Sequence, residues 1–320
     1  MTLDILDRLA KSEDPSIRYI FLRDVLGKGE DDLEINAARQ AIVTSPNVIQ
    51  MLAGRNSDGA FPWHAYSKWR GAFWTLLQLV DLGYPPGDRS LLPLMEQNYT
   101  WLLDPDRLKR IPQINGRYRR CALQEASVVL AAIKLDLIDD RIHQLVDLLL
   151  KWQWPDGGWN CDKKSAASHS SFYESWLPLR AIYAYSQPYG GHRVGRAVEL
   201  ATEIFLSRKL FKRKEDGTIM DKTFTQLAFP PYWHYNILTG LQVMGEIGRL
   251  GDHRCKDALD WLVSKQLPDG GFAAEAKYYQ VTGRDVSGVS PVKWGPVSPV
   301  KSNEYVSVRA LGVLKKAGKI

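Results

Sequence analysis

The chain has 320 residues, of which 45% are hydrophobic and 24% charged, and this length leaves two domains or one large closed architecture as the options. The formal charge is +6, but outside the run at Arg208, Lys209, Lys212, Arg213 and Lys214 the basic residues are interspersed with acidic ones, and no recognition motif accompanies them, so no nucleic-acid partner is expected. No apolar run is long enough to span a bilayer, three cysteines are too few for a disulfide framework, and the acid-containing first residues do not read as a secretion leader, which together predict a cytoplasmic protein.

In chain order, residues 1–50 predict a helical hairpin, with helices over 16–26 and 32–44. Asp58-Gly59 is the first tight-turn signal, followed by a helix over 67–82; Asn115-Gly116 is the second, followed by a helix over 121–137. A helix over 141–152 then runs into Gln153-Trp154-Pro155-Asp156-Gly157-Gly158-Trp159, and the next helix covers 170–185. Asp216-Gly217 precedes a helix over 234–247, and a helix over 255–264 runs into Gln266-Leu267-Pro268-Asp269-Gly270-Gly271-Phe272. Residues 281–300, rich in Gly, Pro, Ser and Val, predict a long loop ahead of a last helix over 303–317.

The turn glycines recur at intervals of roughly 57, 41, 60 and 53 residues, the rhythm of a helical repeat. A helix on either side of each turn makes five hairpins, and the N-terminal pair makes a sixth. The helices after the turns carry apolar and small residues on several faces, as over 126–135 and 237–248, which suits a buried inner ring. The expected fold is all-α: an (α/α)6 toroid, a closed ring of six helical hairpins forming a single domain over 1–320.

The segment 153–159 resembles the QW repeat of squalene-hopene and oxidosqualene cyclases, an aliphatic helix followed by Gln, Gly and Trp, and 266–272 repeats it with Phe in place of Trp. Residues 157–179 resemble the Gly-Gly segment that leads into an inner helix of protein prenyltransferase β subunits. Resemblance to this terpenoid cyclase and protein prenyltransferase superfamily implies the α/α toroid. It also implies an enzyme acting on a hydrophobic, isoprenoid-type small molecule in a central aromatic-lined cavity. The family's catalytic motifs are carried over only in fragments. Neither an Asp-x-Asp-Asp acid nor an Asp-Asp-x-x-Asp diphosphate motif occurs, and the prenyltransferase zinc triad falls on Arg119, Cys121 and Glu174, so only the thiol coincides. Squalene-type cyclases enclose their cavity between two barrel domains, which makes a partner subunit or the loop 281–300 the expected cover here.

If the inner helices begin just after the turns, their first residues share one mouth. Cys121, Glu125, Asp162, Glu174 and His234 are the candidate acids, bases and nucleophiles there. Trp63, His64, Trp69, Trp74, Trp159, Phe172, Tyr232, Tyr235 and Glu304 are the candidate substrate-binding residues, since an apolar pocket with a few convergent polar groups suits a ligand and ring faces stabilise cations. Cys121, Cys161, His169 and His234 are ligand types that zinc favours, so zinc is the candidate cofactor. Two other functions fit the same ring. One is a hydrolase or lyase, on glycans or other substrates, using the carboxylates Glu125 and Glu174 or a Cys/His pair; the other is a non-catalytic ring that binds a ligand or partner.

Overall fold

The computed structural model describes residues 4–282, 284 and 286–320, and the chain is mostly helical, as its sequence predicts. The first helices are α1 (Ile5–Ala10), α2 (Pro15–Ile20), α3 (Leu33–Ala41) and α4 (Pro46–Leu52). They are followed by α5 (Ala72–Leu82), α6 (Leu92–Leu102), α7 (Pro105–Lys109), α8 (Leu123–Lys134), α9 (Arg141–Trp152), α10 (Phe172–Tyr189) and α11 (His192–Leu206). The last are α12 (Ile237–Glu246), α13 (Lys256–Val263) and α14 (Glu304–Lys316). Among the described residues one sheet occurs, a ribbon of β1 (Gln113–Ile114) and β2 (Arg117–Tyr118) that no strand pattern in the sequence announced. Its turn is the predicted Asn115-Gly116, with both residues at positive φ, 51° and 73°, as a two-residue hairpin requires.

By packing, the chain divides into two compact units. One gathers the described residues of Met1–Ala53, Asp81–Pro85 and Arg208–Ile320; the other comprises Gly54–Val80 and Pro86–Ser207. In the first unit, α2 continues into a π-helical turn over Phe21–Val25, and α14 packs against that turn, α2 and α12. Early and late segments of the chain meet there. Ile5 N donates to Asp269 O at 3.0 Å, Arg8 donates to Asp269 and Ser302 at 3.1 and 2.8 Å, and Ser12 Oγ donates to Glu304 at 2.8 Å. In the second unit, α8 is buried along nearly its whole length, packed on α10 and flanked by α6 and α9, while α11 covers α10.

All five predicted turns form with the glycine at positive φ: 84° at Gly59, 73° at Gly116, 103° at Gly157, 72° at Gly217 and 81° at Gly270. An L side chain is strained in that region, so the glycines are a backbone requirement. Three of the turns share one hydrogen-bond frame. Trp154 N donates to Gly158 O at 2.7 Å and Gly157 N to Trp154 O at 2.8 Å; Leu267 with Gly271 and Gly270 repeats this, as does Asn56 with Ala60 and Gly59. The motif glutamine closes two of them, Gln153 Nε2 on Gly157 O at 2.7 Å and Gln266 Nε2 on Gly270 O at 2.9 Å. The aromatic that follows is buried, Trp159 at 1% and Phe272 at 0% exposure, with its amide donating to Ser175 Oγ on α10 or Ser307 Oγ on α14.

A second serine completes each clamp. Ser170 Oγ donates to Asp156 at 2.6 Å and Ser302 Oγ to Asp269 at 2.7 Å. Ser170 with Ser175 is therefore equivalent to Ser302 with Ser307. Twelve residues lead from Gly158 to Ser170 and thirty-one from Gly271 to Ser302, so the second connector is longer by nineteen. The excess corresponds to the predicted loop 281–300, whose Gly283 and Asp285 lie outside the described residues. The loop is irregular yet packed: Trp294 is 1% exposed, lies edge-on to Phe229 and Tyr305 at 5.3 and 5.4 Å, and accepts from Asn303 Nδ2 at 2.7 Å. No helix among the described residues is long and apolar enough to cross a membrane.

Candidate metal centre

Three side chains from separate stretches of the second unit converge. The β1–β2 ribbon delivers the chain to Arg119, whose guanidinium lies over the Trp154 ring at 4.5 Å and donates to Ala167 O at 2.9 Å. Cys121 follows, just ahead of α8, where its carbonyl accepts from Gln124 N at 3.1 Å. Cys161 lies on the short connector after the Gly157 turn, which Asn160 Nδ2 braces on His169 O at 2.8 Å. Ala167 is on the same connector, so the Arg119 bond ties the two cysteine-bearing segments together. Glu174 stands in the first turn of α10.

Cys121 Sγ, Cys161 Sγ and a Glu174 carboxylate oxygen all lie within 4.8 Å of one another, and Cys161 Sγ donates to Glu174 Oε1 at 3.3 Å. Bonds of about 2.3 Å to sulfur and 2.0–2.2 Å to oxygen would put tetrahedral zinc ligands roughly 3.5–3.8 Å apart, so the cluster needs little contraction to take the ion. The donor set fits zinc, and Glu174 Oε2 is buried without a hydrogen-bond partner, the kind of orphan that a cation satisfies. Burial, then the adjacent Cys161, raises the Glu174 carboxyl well above the usual carboxylate range. The thiols divide: the hydrogen bond from Cys121 lowers Cys161 to about 6, while that same bond, then burial, pushes Cys121 up. Three acidic groups in one spot resist ionising together, and a divalent cation relieves that conflict.

Glu125, 0% exposed, lies in the first turn of α8. Arg120 donates to its Oε1 from Nε at 3.1 Å and from Nη2 at 2.5 Å, and Arg107 Nη1 donates to the same oxygen at 3.2 Å. Both guanidiniums also hold Gln124 Oε1, at 2.6 and 2.7 Å. Burial nevertheless outweighs Arg120 and pushes Glu125 up to about 7, and its Oε2 has no hydrogen-bond partner. Arg120 acts electrostatically on Cys121 and Glu174 as well, so it links the two carboxyls.

A folded-state value of about 7 against 4.5 when unfolded means that Glu125 binds its proton more tightly in the native chain. Its contribution to stability is therefore fully present below pH 4.5 and is lost as the pH rises to about 7, a change of about 3 kcal/mol. Glu125→Gln is expected to flatten the pH dependence of urea unfolding across that window by about this amount. An unchanged slope would show that Glu125 does not hold the proton.

Tyr66 adjoins the cluster, with its ring 5.2 Å from Phe73, 5.3 Å from Trp74 and 5.4 Å from Trp101. Burial, then the charge of Cys121, raises its phenol to about 12. Trp74 is fully buried, Trp69 lies edge-on to it at 4.6 Å, Trp63 stacks on Phe61 at 5.0 Å, and exposed His64 is edge-on to Trp101 at 5.1 Å. Trp159 and Phe172 fill the core instead of lining a mouth: Trp159 Nε1 donates to Leu149 O at 2.9 Å, and Phe172 packs on Phe205 at 4.6 Å. Asp162 and His169 are exposed on the connector.

Tyr232, His234, Tyr235 and Glu304 belong to the first unit. His234 is stacked between Trp233 and Tyr278 at 3.7 and 3.4 Å, Tyr232 is 1% exposed, Tyr235 donates to Leu210 O at 2.8 Å, and Glu304 accepts from Ser12. The residues brought together are thus Cys121, Cys161 and Glu174, with Glu125 joined through Arg120. Neither His169 nor His234 is part of the thiol–carboxyl cluster. Tyr66 and Arg107 were not singled out from the sequence, because nothing local distinguishes them from surface residues. The chain matches no model of a known protein family and no curated protein.

Proposed function

We propose that the chain is an enzyme of the prenyltransferase and squalene-cyclase type, a closed ring of six helical hairpins in which Cys121, Cys161 and Glu174 hold a zinc ion. Its substrate is a hydrophobic, isoprenoid-type small molecule taken into an aromatic-lined cavity. The convergence of two thiols and a buried carboxyl within 4.8 Å carries the reading. The repeated QW turn, and the bonds that join Ile5 and Arg8 to Asp269 and Ser302, support a closed ring.

A bound zinc ion supplies Lewis acidity at this spot. The remaining work falls to the chain itself. Glu125 holds a proton near neutral pH, and because Arg107 and Arg120 occupy Oε1, it exchanges that proton through Oε2. Tyr66 and Trp101, both partly exposed and backed by the fully buried Phe73 and Trp74, form an aromatic wall that offers ring faces to positive charge.

Protein purified without chelator is expected to carry about one zinc ion per chain, and cobalt exchange should give the absorption of a thiolate-bound metal. Absence of both would remove the metal reading. A second reading is favoured by one observation: Glu125 and Glu174 are both buried, and each has an orphan oxygen. A hydrolase or lyase pairing a carboxylic acid with a carboxylate base uses such a couple. A metal-free protein whose glycan cleavage disappears in both Glu125→Gln and Glu174→Gln would select it.

A further inference from the structure

The thiol pair has a chemistry that needs no metal. All three cysteines are free, but Cys255 is 0% exposed, whereas Cys121 and Cys161 are each partly exposed. Both of the latter lie in irregular backbone, one between β2 and α8 and the other on the connector before α10, so either can shift without breaking a helix. The Arg119 bond to Ala167 keeps the two segments together.

We propose that Cys121 and Cys161 are an oxidation site for peroxides and close into a reversible disulfide. The sulfurs, within 4.8 Å of one another, must approach by no more than about 2.8 Å to reach the bonding distance of about 2.05 Å. Cys161 Sγ attacks one peroxide oxygen and the O–O bond breaks, leaving a sulfenic acid on Cys161. Cys161 and Glu174, 3.3 Å apart, share one proton, and it passes to the departing oxygen, released as water or an alcohol. Cys121 Sγ then attacks the sulfenic sulfur, the S–O bond breaks, and water leaves with the Cys121 proton. The two sulfurs lose two electrons in total and the peroxide gains them. Disulfide formation stands on the thiol geometry alone; its consequence, loss of both sulfur ligands and release of zinc, rests on the metal reading.

The full-length protein, treated with hydrogen peroxide and then denatured, is expected to fall from three titratable thiols to one, with Cys255 the survivor. A linked Cys121–Cys161 peptide should appear, and dithiothreitol should restore all three thiols. In Cys121→Ser the sulfenic acid should persist on Cys161 and react with dimedone. Three surviving thiols would overturn the proposal, as would a sulfinic acid on Cys161 without a crosslink, or a bond between chains. Measuring zinc before and after treatment separates the two readings. Bound zinc without a crosslink overturns only the oxidation site, and a crosslink in protein that never carried zinc overturns only the metal centre.

Discussion

Trp159→Ala should destabilise the chain by about 3–5 kcal/mol, read as a lower urea midpoint. The side chain is 1% exposed, its indole donates to Leu149 O at the end of α9, and its amide donates to Ser175 on α10. One residue therefore fastens two helices to the turn between them. Truncation would leave a cavity in a place that cannot collapse. A methyl group built on Gly158 would already lie 2.5 Å from Ser175 Oγ and 2.4 Å from Ile204 Cδ1, so the surrounding backbone has no room to settle inward. The molecule supplies its own control: Phe272 fills the same place after the Gly270 turn. Trp159→Phe should therefore keep most of the stability, losing roughly 1 kcal/mol with the indole hydrogen bond. Equal losses in the two variants would mean that the aromatic ring is not what holds the turn.

Glu174→Ala is expected to weaken zinc binding by more than about 100-fold, because loss of a direct ligand should exceed the 10–100-fold effect of an outer partner. The same change should leave folding intact or improve it. Burial holds the carboxyl well above its ordinary range and one oxygen is orphaned, so the group is a burden on the metal-free chain. Glu174→His, which restores a ligand of a type zinc favours, should recover much of the affinity in a competition with a chromophoric chelator. Zinc binding that survives in Glu174→Ala would take this carboxyl out of the centre. Loss of binding that accompanies unfolding would show that its role is structural.

The legible parts of the molecule are those set by local chemistry. Asp-Gly and Asn-Gly pairs demand positive φ wherever they occur, so all five turns, and the helices they separate, could be read directly. Cys121 and Glu174 were also within reach, since each lies beyond a turn, one just ahead of α8 and the other in the first turn of α10. Asp162 and His169 illustrate the limit. They share the connector with Cys161, but the chain there is irregular, and no period states which side chains face inward and which face water. The β1–β2 ribbon was invisible because two-residue strands have no alternation to detect. Tyr66 and Arg107 acquire their meaning only from residues brought near by folding. The charge of Arg107 is fixed by Glu125 and by the face of Trp101, neither of which is its helical neighbour.

The Gly157 and Gly270 turns are one device with connectors of different length between matching Asp–Ser clamps. Asp156 with Ser170 and Asp269 with Ser302 fasten both ends, so whatever is strung between those anchors does not alter how the helices meet. That interval is a modular slot. In one copy it presents a thiol, and in the other it folds a tryptophan back onto its own unit. Exchanging the shorter strip for another of similar reach would rewrite the chemistry of its own unit while leaving the helical scaffold unaware of the change.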